Sequence, residues 1–202
     1  GAERMAEGVG WPKPARKKRE NFPETSLVPT ESIQAAASAY AYPLLIKQLL
    51  HTPLATAADQ EIVYRDSHRQ TYRDLAARIR RLANALRDAG IGPGDTVAVM
   101  DWDSHRYLEC FFAVPMMGAI LQTVNVRLTP EQILYTLNHA RADVVLVNAE
   151  FLPILAAIAP RLETVKRFVL IEDAPAAVGP VDLAGEYEAL LAAAPPDYDV
   201  PD

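Results

Sequence analysis

The sequence predicts an α/β fold: a mainly parallel sheet with flanking helices, preceded by a small hairpin and a disordered tail. Two observations predict it. Between Asp95 and Asp173 a short apolar, β-rich run followed by an amphipathic stretch occurs four times, the runs being Thr96–Met100, Ala119–Val124, Asp143–Asn148 and Arg167–Ile171. They start about two dozen residues apart, the length of a strand plus a crossover helix. Ahead of them, apolar residues recur at helical steps at Leu75, Ile79, Leu82 and Leu86. A sheet of this kind is a ligand-binding scaffold, yet no loop of the kind that usually binds a phosphate is present.

The elements follow in order. Pro43 and the leucines through Leu50 suit a short helix over Tyr42–Leu50, with proline in its first turn. Glu61–Arg65 reads as a strand, Asp66–Arg69 as a turn, and Gln70–Tyr72 as the antiparallel return of a small hairpin. The long helix that follows buries Leu75, Ile79, Leu82, Leu86, Ala76 and Ala83. It turns Arg73, Arg80, Arg81 and Arg87 outward and stops at Gly90. Gly92-Pro93-Gly94-Asp95 is a tight connection into the first sheet strand.

Asp103 or Ser104 can cap the next helix, which presents Tyr107, Leu108, Phe111, Phe112 and Val114 and is ended or kinked by Pro115 with Gly118. Thr129, Pro130 and Gln132 form the sharpest helix start in the chain: a cap, a proline in the first helical position and the third-position partner of a capping box. Ile133, Leu134 and Leu137 are its buried face. A fourth helix over Glu150–Ala159 turns Phe151, Leu152, Leu155 and Ile158 inward, and a short one is plausible at Glu186–Ala192.

Three regions result. Residues 1–40, with four prolines and the basic run Arg16-Lys17-Lys18-Arg19, read as a disordered tail or as added, non-native sequence. Residues 41–175 form the α/β lobe. Residues 176–202 are an acidic, Ala/Pro-rich segment that is partly helical; from Glu172 onward there are eight acidic residues and no lysine or arginine. The net charge of −6 argues against general nucleic-acid binding. The single cysteine, Cys110, excludes an internal disulfide framework and lies in an apolar run that suits a buried, inert thiol. No stretch is apolar enough to span a bilayer, so a cytoplasmic location is expected.

Chemical signatures are sparse. His51, His68, His105 and His139 are scattered, without a Cys/His cluster, so no metal site is expected. Ser104-His105 beside Asp101 and Asp103 admits a triad reading, but capping explains the Asp and Ser equally well, and no catalytic residue is assigned. The basic run in the tail reads as a solvated segment or as a phosphate-binding patch. Asn125 and Arg127 follow a strand and precede a helix, at the carboxyl-end position where open α/β sheets bind ligands. The alternative is that Asn125 satisfies backbone in the turn and Arg127 pairs with a helix carboxylate.

At these residues the sequence resembles the N-terminal part of the acyl-CoA synthetases, of the adenylate-forming, AMP-binding enzyme superfamily. The matching pieces are Thr71-Tyr-Arg-Asp-Leu75, Gly90 through Val99, Tyr107 through Ala113 with Gly118-Ala119, and Asn125-Val-Arg-Leu-Thr-Pro-Glu-Gln-Ile133. They are in register from about Tyr42 to Asp173. The wording around Asn125 is most similar to bacterial fatty-acyl or medium-chain acyl-CoA ligases, while Asp101-Trp102-Asp103 departs from the simpler turn of many relatives.

The resemblance implies an incomplete N-terminal lobe of the adenylate-forming fold. It implies a two-step reaction: a fatty or other carboxylate attacks ATP to give an acyl-adenylate and pyrophosphate, and coenzyme A then displaces AMP. The complete enzyme would use ATP, Mg2+ and CoA, and this chain alone would bind none of them securely. The family's Ser/Thr/Gly-rich loop ending in lysine is not found here; no lysine follows Lys166. The chain is therefore expected to end upstream of the catalytic apparatus, with the remainder of the ligase as partner in cis or as a separate chain. In relatives the loop matching Val124–Arg127 lies near the pantetheine tunnel of coenzyme A, which makes Asn125 and Arg127 candidates for lining it. Tyr72, Asp95 and Gly118 look structural in the same comparison. A non-catalytic α/β interaction module that associates with a partner chain is the alternative.

Overall fold

The computed structural model describes residues 36–39, 45–173 and 181–198. Most of the expected tail, and Pro43 with its expected first turn, lie outside the described residues.

The main sheet is parallel throughout, in the order β4 (Ile120–Thr123), β3 (Thr96–Met100), β5 (Val144–Asn148), β6 (Arg167–Ile171), β7 (Leu183–Glu186). Alternation along β3 and β5 sends side chains to two separate cores, one on each face. Val97, Val99, Val144 and Leu146 pack with α2 (Tyr72–Asp88), α3 (His105–Met116) and α6 (Tyr187–Ala193). Ala98, Met100, Val145 and Val147 pack with α4 (Pro130–His139) and α5 (Leu152–Ile158). Both central strands are buried along their whole length, as strands covered on two faces must be. The expected fold class therefore holds.

Local chemistry sets the boundaries. The sequence-predicted strands Thr96–Met100 and Arg167–Ile171 form as expected, and the other two lose only end residues. Thr129 and Gln132 complete their capping box, with Pro130 in the first turn. A second box, unforeseen, starts α2: Thr71 accepts from the Asp74 amide while the Asp74 carboxylate accepts from Thr71. Gly118, at φ +77°, sits where a Cβ would lie 3.3 Å from the Pro93 Cβ, and its carbonyl accepts from the Gly94 amide. That position therefore requires glycine. The hairpin forms from β1 (Glu61–Tyr64) and β2 (His68–Thr71), turning through left-handed Arg65 and Asp66.

Four expectations are corrected. The helix expected over Tyr42–Leu50 is a tight 3-10 turn at Ile46–Leu50, continued by α1 (His51–Thr56). Pro53 lacks the N–H that an uninterrupted α-helix would direct back to Leu49, and it is tolerated only in the first turn of a restarted one. Pro153 and Pro160 act similarly on the fourth helix, which opens and closes as 3-10 turns around α5. Arg81 does not face solvent: its guanidinium donates to the carbonyls of Leu191 and Ala194 at the end of α6. A fifth strand, β7, was not foreseen; it pairs with β6 through an irregular register at Phe168/Val169 and leads directly into α6.

Candidate functional site

The chain leaves β3 for β4 on one side, then returns past β3 to β5 on the other. The carboxyl ends of β3 and β5 therefore flank the point where strand order reverses, the position at which open parallel sheets hold ligands. The residues at and immediately following those ends are joined in one polar frame.

Asp101, the first residue after β3, is 5% exposed. Its carboxylate accepts from Asn148 Nδ2 at 2.8 Å, and also from the Ser104 hydroxyl. Burial pushes the Asp101 carboxyl up, and the donors Ser104 and Asn148 oppose that shift. Asn148 ends β5 and uses its other amide atom as a cap, Oδ1 accepting from the Glu150 N–H at 3.0 Å. The Glu150 carboxylate then accepts from the Trp102 indole N–H at 3.0 Å, and the Trp102 ring tilts against Phe151. Hydrogen bonds thus run unbroken from Ser104 through Asp101, Asn148 and Glu150 to Trp102.

The sequence-predicted pair lies beside this frame. Asn125 Oδ1 accepts from the Arg127 N–H at 3.0 Å, so the asparagine satisfies backbone within the turn. The Arg127 guanidinium stands 6.0 Å from the centre of the Trp102 ring, a cation–π placement, and among the described residues it pairs with no helix carboxylate. Both residues are exposed. The geometry offers a cation and an aromatic face at the mouth of the switch point, above a buried carboxylate. Trp102, Asn148 and Glu150 were missed as members of this group. The only signal in the sequence was that each stands at or just past the end of a strand.

The triad reading of Ser104 and His105 does not form. Ser104 donates to Asp101 and accepts from the Tyr107 N–H as the cap of α3. His105 turns away, its ring stacked on His68 and its Nε2 3.7 Å from Glu188. Cys110 is fully buried, and burial pushes its thiol well above the ordinary range, which leaves no thiolate for nucleophilic work.

Behind the frame lies an ion network that long-range packing assembles. Glu109, wholly buried, accepts from Arg78 Nε at 2.6 Å and from the Tyr187 hydroxyl at 2.7 Å. Glu188 receives both Arg78 and Arg106, and Arg106 reaches on to Asp173 at 2.7 Å. Burial would raise the Glu188 carboxyl; His105, Arg78 and Arg106 outweigh it and hold the group well below the usual range. This network ties α2, α3, α6 and the end of β6 together beneath the switch point. A groove of about 560 Å3 opens elsewhere, lined by Lys47, Leu50, His51, Ile79, Arg80 and Met116, and no strand carboxyl end contributes to it.

Known proteins carry the same lobe. Residues 50–199 match the family model described as AMP-binding enzyme. Over 106 residues the chain is 46% identical to the long-chain-fatty-acid–CoA ligase of Thermus thermophilus, covering 52% of this chain and 20% of that protein. Over 103 residues it is 43% identical to the medium-chain-fatty-acid–CoA ligase of Ectopseudomonas oleovorans, covering 51% and 19%. The crystal structure of the anthranilate CoA ligase AuaEII with anthranoyl-AMP superposes with a TM-score of 0.71 at 25% identity, covering 79% of this chain and 30% of that one. The chain thus matches about a fifth of the length of these curated relatives. With most of its residues inside the family match and its parallel sheet superposing on a solved ligase, the chain belongs to the AMP-binding enzyme family and has the fold of the N-terminal lobe of adenylate-forming enzymes.

Proposed function

We propose that this chain supplies the N-terminal lobe, residues 41–175 with β7 and α6 packed on it, of an AMP-forming ligase joining a fatty or medium-chain carboxylate to coenzyme A. The observation that carries the reading is the placement of Asn125 and Arg127 beside Trp102 at the switch point, in a lobe whose named relatives are acyl-CoA ligases. Arg127 presents an exposed guanidinium suited to an anionic phosphate, and Asn125 holds the loop that presents it. Their role is to shape the passage of coenzyme A, with the chemistry performed by other residues.

Adenylation needs a phosphate cradle and cations to spread charge. No Ser/Thr/Gly-rich loop ending in lysine occurs in this sequence, so the chain by itself is inactive in this proposal. Among the described residues no group of three His, Cys, Asp or Glu could hold a metal ion, so magnesium is assigned to no residue here. ATP, magnesium and most of the carboxylate site come with the remainder of the ligase, in cis or as a separate chain. The proposed location is the cytoplasm, where a single thiol stays reduced; no described helix is long and apolar enough to cross a membrane.

A lobe exchange tests both parts. This chain alone should give no decanoate-dependent ATP–pyrophosphate exchange. Replacing the matching segment of the Thermus thermophilus ligase with residues 41–198 should preserve exchange, and Arg127→Ala in that chimera should raise the KM for coenzyme A severalfold with exchange unchanged. Exchange by the chain alone, or an unchanged KM, would count against the proposal.

The free edge of β4 favours a second reading, a non-catalytic module that associates with a partner chain. Ile120 on that edge strand is 53% exposed, and Tyr135 on α4 is 66% exposed. A monodisperse monomer in size-exclusion chromatography at high concentration would argue against it.

A further inference from the structure

The β1–β2 hairpin is a separate two-stranded sheet, and it meets the body of the lobe through Ile62, which packs against the α2–α3 core, and through a pair of stacked histidines. His68 opens β2 and His105 is the first residue of α3. Their ring centroids are 3.7 Å apart with planes at 15°, and the Tyr64 ring completes the group 5.6 Å from His105. The His105 side chain is 5% exposed. Neither His68 Nε2 nor His105 Nδ1 has a hydrogen-bond partner among the described residues, and both atoms are buried.

Charged and titratable groups face this stack from every side. Tyr64 and Arg65 come from the hairpin, Arg78 from α2, and Arg106 and Glu109 from α3. Asp101 and Asp173 follow β3 and β6, and Glu188 stands on α6 with its Oε1 3.7 Å from His105 Nε2. Glu188 is already engaged by Arg78 and Arg106, and Glu109 by Arg78 and Tyr187. A proton added to His68 therefore gains a cation in a half-buried position whose nearest carboxylates are committed elsewhere. Protons on both rings would place two cations at stacking distance, one of them at the N-terminus of α3, where the helix dipole disfavours positive charge. An isolated two-stranded hairpin is marginal in water, so a small loss of docking energy suffices to free it.

We propose that the His68–His105 stack is a proton-operated latch, which holds the hairpin against the N-terminus of α3 while His68 is neutral and releases it when His68 takes a proton. Burial first, and then His105, hold His68 below its ordinary value. The docked state thus binds fewer protons than the released one, so docking is favoured at neutral pH and is lost as pH falls below about 6.5. The latch sits next to Ser104, which caps α3 and donates to Asp101, so release loosens one wall of the switch point.

Amide hydrogen exchange on the whole 202-residue chain tests the latch, with rates corrected for the intrinsic effect of pH. Between about pH 7.5 and pH 5 the amides of Ile62–Gln70 should lose about tenfold in protection, while Val144–Asn148 in β5 keep theirs. His68→Phe preserves a stacking ring that cannot titrate, and should keep the hairpin protected at the acid end. His68→Tyr should do the same, since its ring takes no proton in this range either, which provides a second variant should the first fail to fold. The proposal is overturned if the hairpin keeps its protection, if hairpin and β5 lose it together, or if a folded His68 variant opens with pH as the wild type does. Should neither variant fold, the imidazole resonances of the wild type decide: a His68 midpoint below about 6.5 upholds the latch, and one at or above it overturns the latch.

Discussion

Asn148 Nδ2 donates to the Asp101 carboxylate at 2.8 Å and so ties the ends of β3 and β5 together across the switch point. The bond lies in a buried site, where a donor removed is not replaced by solvent. Asn148→Leu should therefore cost about 1–3 kcal/mol. Asn148→Asp should cost more, because it sets a second carboxylate against a buried one. Urea midpoints of the three proteins would check the order; an Asp variant as stable as the wild type would show that Asp101 is not held by this bond.

Arg78 and Glu109 form a second test of the interior. Removing the cation by Arg78→Met leaves Glu109 buried with only the Tyr187 hydroxyl, a loss of about 3–5 kcal/mol. Glu109→Leu leaves Arg78 paired with Glu188, so it should cost less. The double variant should be less damaged than the two losses added together. Chemical denaturation of all four proteins gives the coupling, and strict additivity would contradict the geometry.

Glu188 fixes the acid limb of stability. Its carboxyl is held well below the ordinary value of 4.5 by His105, Arg78 and Arg106, which together outweigh burial. A depressed carboxylate contributes stability that is fully present above about pH 4.5 and is lost as pH falls through the folded value. The wild type should therefore lose stability below that point more steeply than Glu188→Gln. Parallel acid-dependence curves for the two proteins would refute the assignment.

What was legible in the sequence was what is local. The strand at Thr96–Met100 and the start of α4 at Thr129–Gln132 are encoded in adjacent residues, by apolar β-branched runs in one case and by a cap, a proline and a box partner in the other. Strand β7 was not legible, because Leu183-Ala-Gly-Glu186 has no β-branched or aromatic residue and is a strand only by pairing with β6. The Arg78–Glu188 pair spans 110 positions, and Arg81 finds its acceptors at similar separations, so helical periodicity could only send such arginines outward. At the candidate site, the loop of Asn125 and Arg127 was found from its place after a strand. Its link to Trp102, and the Asp101–Asn148 bond beneath, depend on which strands are neighbours.

Thr129 offers a local test of that encoding. Its hydroxyl caps the Gln132 amide, and the Gln132 side chain returns to the Thr129 N–H. Thr129→Ala removes one arm of the box and should cost about 1 kcal/mol. Exchange protection should fall mainly in the first turn of α4. A uniform loss over the whole lobe would mean that the cap serves global packing instead.

Cys110 reports on the whole lobe because nothing local can expose it. It is fully buried in the α2–α3 core, and burial pushes its thiol far from the thiolate form. Reaction with a thiol reagent such as Ellman's reagent must therefore wait for an opening that disrupts that core. In native buffer the modification should be about a thousandfold or more slower than in denaturant, and its rate should climb with urea in step with the unfolded fraction. Rapid labelling of the native chain, independent of urea, would mean that α3 detaches on its own. The Glu109 carboxylate next to the cysteine, held by Arg78 from α2 and Tyr187 from α6, argues that it does not.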